Sequence, residues 1–145
     1  MLVPGLVSEL DPRISRLQVG GTDVAPDEPP ATGTAPPHNT LVVLLAAGTS
    51  MTLGKAMAQA GHAGMIAVAL LAGDDQAALT RWRSAGCVAD ARQASAVEWA
   101  GLTAEVADED RAWRSARLLA VRDAGFTEVE PGTVTVIARA PTGPG

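Results

Sequence analysis

Leu41–Ala72 reads LVVLLAAGTSMTLGKAMAQAGHAGMIAVALLA, and this stretch decides the fold. Leu41 to Ala47 is an unbroken aliphatic run stopped by Gly48, the pattern of a strand buried on both faces of a parallel or mixed sheet. A polar turn follows. From Gly54 to Ala72 the chain is rich in Ala, Met and Leu without a proline, which predicts a long helix. A strand feeding directly into a helix points to an α/β domain.

Working outward, Gly73-Asp74-Asp75 interrupts that helix, and either Asp74 or Asp75 can cap a second helix running to about Arg83. Downstream, Leu118 to Arg122 reads as a strand closed by Asp123. Pro131-Gly132 carries turn chemistry, and Thr133 to Ala138 alternates as a final strand. The segment from Cys87 to Arg117 admits two readings. Cys87 to Gln93 is a strand followed by a helix from Ser95, or Thr103 to Ala107 is the strand and Asp108 to Ala116 a short helix capped by Asp108. Strand and cap chemistry favour the second.

Seven of the ten prolines lie before residue 38, mixed with Gly, Thr, Asp and Glu. Residues 1–38 therefore read as a disordered Pro-rich leader, 39–140 as the folded domain and 141–145 as a flexible tail. The 145 residues, 47% hydrophobic and 19% charged, suit one globular domain. Neither a secretory start nor a membrane span is expected, since the longest apolar run, Ala63 to Ala72, is about half the roughly 20 residues a spanning helix needs. The single cysteine, Cys87, allows no internal disulfide and too few ligands for a structural zinc site, so a cytoplasmic location is expected and the thiol is read as a small buried hydrophobe.

Charge is distributed unusually. Lys55 is the only lysine beside ten arginines, and its compact ammonium suits an oxyanion or phosphate. A nucleotide-binding phosphate loop at the turn before Lys55 is disfavoured by spacing: five residues separate Gly48 from Gly54, where that loop has four, and Ala56 follows Lys55 where it needs Ser or Thr. Lys55, Gln59 and His62 fall at i, i+4 and i+7, on one helical face. Taken alone this is a solvated face, and His62 alone a structural histidine. Asp123, at a strand end before a glycine turn, sits where ligand sites of α/β sheets collect, although a turn Asp is also a common cap.

Together these motifs resemble the bacterial-archaeal-eukaryotic type of peptidyl-tRNA hydrolase. Gly54-Lys55, Gln59 and His62-Ala63 match the second half of the family's Gly-Lys-Gly-Lys, Gln, His-Ala pattern. Asp123-Ala124-Gly125-Phe126-Thr127 and Pro131-Gly132-Thr133-Val134-Thr135 match its second motif without a gap. Thr52-Leu53 replaces the first Gly-Lys pair, Phe126 stands in place of arginine, and Glu128 in place of glutamine.

The resemblance implies a three-layer α/β/α domain with a mixed four-stranded sheet, and hydrolysis of the ester joining a peptide to tRNA. It carries over Lys55, Asp123 and Thr127 as catalytic residues and Gln59, His62, Thr133 and Thr135 as substrate-binding residues. It implies no metal and no cofactor; peptidyl-tRNA is the implied partner, with no membrane and with a homodimer as the assembly to test. Ester hydrolysis needs a placed water and a positive group facing the developing oxyanion. Lys55 suits the second part, whereas Asp123 could orient Lys55, Thr127 or the water. From His38 onward nine Lys and Arg face eleven Asp and Glu, a weak electrostatic basis for holding nucleic acid. A non-enzymatic relative that binds a protein or small ligand is the alternative that this acidic balance would suit.

Overall fold

The computed structural model describes residues 37–49, 51–124 and 129–142. Four strands and four helices are found there: β1 (Leu41–Leu45), α1 (Leu53–Asp74), α2 (Gln76–Ser84), β2 (Ala89–Gln93), α3 (Ala96–Glu105), α4 (Glu109–Ala116), β3 (Leu118–Arg122) and β4 (Val134–Arg139). Almost all of the expected leader, Thr127 and the last residues of the expected tail lie outside the described residues.

The sheet order is β2-β1-β4-β3. β1 runs parallel to β2 and antiparallel to β4, which is antiparallel to β3, so the sheet is mixed. Alternation along the strands divides the core in two. Leu41 and Val43 of β1, Leu119 and Val121 of β3 and Val136 and Ala138 of β4 pack against Ala63, Ala67 and Leu71 of α1 and Leu79 and Trp82 of α2. On the opposite face Leu44, Leu118 and Ile137 meet Leu102 of α3, Val106 at the C-terminal cap of that helix, and Ala112 of α4. The result is the three-layer α/β/α arrangement that the resemblance implied.

Small residues let α1 lie close to the sheet: its buried positions are Ala56, Gln59, Ala63, Ala67 and Leu71, recurring every three or four residues. At 22 residues, with a mean hydropathy of 1.4, α1 is long and apolar enough to cross a membrane by length and composition alone. The ten-residue run counted from the sequence understates it. Its inward stripe is packed against the sheet, and Lys55 and Gln59 are bonded to other parts of the fold.

Asp75 caps α2 by accepting from Ala78 N at 2.9 Å, and Ser95 caps α3. The middle of the chain combines the two sequence readings. β2 and α3 follow the first, while α4, capped by Asp108, follows the second. Thr103 to Ala107 is not a strand: Thr103 donates its hydroxyl to Trp99 O inside α3, and Leu102 and Val106 are buried one helical turn apart. Nor is Cys87 buried. Gly86 and Cys87 both take positive φ (86° and 54°) as the chain leaves α2, and this turn leaves the thiol exposed. Trp113 is buried and Trp99 packs, half-buried, on the α3/α4 side.

Candidate functional site

Four polar residues are buried among the described hydrophobic core: Thr40, Gln59, Asp123 and Thr135. Three of them form one connected group with Lys55. Burying a polar side chain is costly unless it is bonded, so a run of such groups marks a place where the fold holds a specific geometry.

Thr52 caps α1, and Lys55 falls in its first turn, with its backbone N donating to Thr52 Oγ1 at 3.3 Å. A cation is disfavoured there, since the helix N-terminus already carries partial positive charge. No acidic residue lies in that first turn to offset it. The compensation comes from across the sheet: Lys55 Nζ lies 2.5 Å from Asp123 Oδ2, with side-chain exposures of 13% and 5%. The two groups therefore meet, sheltered, with a little of the lysine still reached by solvent.

Gln59, one turn further along α1, donates from Nε2 to the same Asp123 Oδ2 at 2.6 Å. Its Oε1 accepts from the Thr135 hydroxyl at 2.8 Å. The orientation of the amide follows from chemistry, because an ionised carboxylate only accepts, so the NH₂ must face Asp123 and the oxygen must face a donor. Thr135 supplies that donor. Donation thus runs from Thr135 through Gln59 to Asp123 on one side and from Lys55 to Asp123 on the other, with the carboxylate accepting from both.

Backbone geometry places both ends of this relay. Asp123 N donates to Thr133 O at 2.9 Å and Gly132 N to Asp123 O at 2.7 Å, clamping Asp123 where β3 ends. Gly132 has φ 81°, a conformation glycine adopts without penalty. The pairing of β3 with β4 shifts between Val121 and Arg122, whose partners are Val136 and Val134. Thr135 is the extra residue in that bulge. Simple alternation would turn it away from α1, but the bulge lets Thr135 and Val136 both face the helix.

Of the residues singled out in the sequence, Lys55, Gln59, Asp123 and Thr135 come together. Thr133 is half-buried and bears on the site through its backbone carbonyl. His62, two turns along α1 from Lys55, is exposed and stands apart from the relay. Thr127 lies in the segment outside the described residues. No cluster of three or more His, Cys, Asp or Glu that could hold a metal occurs among the described residues.

The family model of Peptidyl-tRNA hydrolase PTH2 matches residues 39–144, the whole of the described domain. The chain belongs to that family. No curated protein gives a significant match. The matched residues contain every member of the relay.

Within this family member the relay is a sensitive point. Thr135→Val keeps the shape but removes the donor to Gln59 Oε1, leaving a buried acceptor without its partner at a cost of about 1–3 kcal/mol. Chemical denaturation should show that loss with an unchanged m-value. Activity should fall as well, because Gln59 is then no longer fixed against Asp123.

Proposed function

We propose that this chain hydrolyses the ester between a peptide and the 3′ end of tRNA, in the cytoplasm, with Lys55 and Asp123 at the centre of the site. The observation that supports this reading is the sheltered ion pair at the start of α1, in a chain of the peptidyl-tRNA hydrolase family. Attack of water on the ester carbonyl develops negative charge on its oxygen. An ammonium held beside a helix N-terminus is placed to stabilise that charge, and neither partner has to reorganise when the charge appears.

Asp123 acts as the positioning partner. Its Oδ2 is already engaged by both Lys55 and Gln59, so that oxygen holds the ammonium in place instead of drawing a proton from water. Gln59 and Thr135 fix the carboxylate in turn. By their positions in the family motifs, Thr127 is assigned a catalytic role and the exposed His62 a substrate-binding one.

A release assay with peptidyl-tRNA tests this directly. The native chain should free the peptide, and Asp123→Asn should do so much more slowly, since an amide cannot balance the ammonium. Full activity in Asp123→Asn would remove the ion pair from the mechanism. An inactive native chain would favour the binding module instead.

A further inference from the structure

The side of α1 turned away from the sheet is apolar over most of its length. Met57, Ala58, Gly61, Met65, Ala69 and Ala72 are exposed there, recurring mostly every three or four residues, and the half-buried Ile66, Val68 and Leu70 border them. Between Lys55 and Asp74 the chain carries no Asp, Glu, Lys or Arg, and His62 is the one ionisable group. Met57 and Met65 are 66% and 62% exposed. An apolar strip of this extent, on a helix about 33 Å long, marks a surface that something covers, and flexible thioether side chains adapt to an irregular partner.

The chain itself carries a matching segment. Residues 2–17, LVPGLVSELDPRISRL, place Val3, Leu6, Leu10, Ile14 and Leu17 at intervals of three and four, so that one side of a helix there is apolar. Pro4 and Pro12 suit first-turn positions, and Asp11 suits the cap before the second of them. So short a segment cannot hold a helix alone, and an apolar strip supplies the burial it lacks. The chain also enters the described fold at the right place. Pro37 lines a hollow with Thr80, Arg81 and Ser84 of α2, and α2 lies with α1 on one face of the sheet. The nineteen residues from 18 to 36 that join the segment to Pro37 span about 24 Å as a flexible chain and more when extended. Charge favours the same route. Arg81 and Arg83 of α2 are exposed and, among the described residues, pair with no carboxylate, whereas the joining stretch carries Asp23, Asp27 and Glu28. A lipid surface, by contrast, calls for basic groups beside the strip, and Lys55 is already held by Asp123. We propose that residues 2–17 dock along the outer side of α1, with Asp23, Asp27 and Glu28 passing over the arginines of α2.

Methionine oxidation reads the covered state directly, because a covered thioether reacts slowly with dilute peroxide. In the full chain, Leu6→Asp with Leu10→Asp should raise the oxidation rates of Met57 and Met65 by about tenfold or more, since losing the burial of even one leucine shifts a docking equilibrium by at least that factor. Both substitutions lie outside the folded domain, so its melting temperature should not move. The reciprocal experiment is hydrogen exchange: amides of residues 2–17 should be protected in the native chain and lose that protection in Met57→Asp with Met65→Asp, whose replaced side chains are exposed. Arg81→Glu with Arg83→Glu should weaken both kinds of protection in part. Protection should be the same at every protein concentration, as a contact within one chain requires. Equal oxidation of Met57 and Met65 with and without the leucines, or protection that grows with concentration and so reports a second copy on the strip, would overturn the docking.

Discussion

Lys55→Ala should slow release of peptide from peptidyl-tRNA by about 10²- to 10³-fold, the loss typical of deleting one donor to a developing oxyanion. The same substitution should destabilise the fold, because Asp123, 5% exposed, would stay buried without its cation. Breaking one side of a buried pair costs about 3–5 kcal/mol. Two effects in one variant invite confusion, and a second variant separates them. Lys55→Met with Asp123→Leu removes both charges at similar volume, a change that is often neutral or stabilising. It should recover part of the thermal midpoint lost in Lys55→Ala, short by about 1–3 kcal/mol because the buried Gln59 amide loses its acceptor, and recover none of the hydrolysis. Measured together, those two readouts decide whether Lys55 serves chemistry or only packing. Lys55→Arg should also be slow, since a planar guanidinium fork does not reproduce a compact ammonium 2.5 Å from one carboxylate oxygen.

The parts of this site legible in the sequence are those whose signal is local. An aliphatic run bounded by Gly48 specifies β1, and helical spacing places Lys55 and Gln59 one turn apart. Meeting Asp123 is a matter of tertiary packing, and only the family motifs pointed to it. Thr135 shows where local rules stop. Its alternating context suggested a regular strand, yet its direction depends on a bulge set by pairing with β3. His62 shows the reverse error. Residues i and i+7 share a face but stand about 10 Å apart along the axis, so a common face did not bring His62 into the relay.

Outside the site, illegibility has a different cause. β2 carries no aliphatic signature because no helix covers most of its length, so ADARQ gives none of the burial pattern that marks β1 or β3. Thr103 to Ala107 resembled a strand through its Thr and Val, but a buried apolar turn of helix, Leu102 with Val106, outweighs that preference. Cys87 is exposed because the chain leaves α2 through two residues of positive φ, which composition does not reveal.

Trp113→Ala should be the most destabilising change far from the chemistry, at about 3–5 kcal/mol, in a domain whose total stability should lie near 5–15 kcal/mol. Trp113 belongs to α4 but is buried in the core cluster beneath α1 and α2, so it ties the ends of the two helical layers together. Its Nε1 donates to Asp74 Oδ2 at 2.5 Å, and the Arg117 guanidinium lies over its ring at 5.0 Å from the centroid. Arg117 also reaches Asp75 Oδ2 at 3.3 Å, so both aspartates at the break between α1 and α2 are held from the α4 end. Truncation removes the ring, the donor and the platform for Arg117 at once, whereas Trp113→Phe keeps most of the burial and should lose only about 1 kcal/mol for the missing donor. Asp74 lies nineteen residues from Lys55 along α1, about 28 Å at the helical rise. Activity per folded molecule should therefore survive in Trp113→Phe while its melting temperature falls. Equal loss of activity and stability in that variant would mean that the far end of α1 sets the position of Lys55.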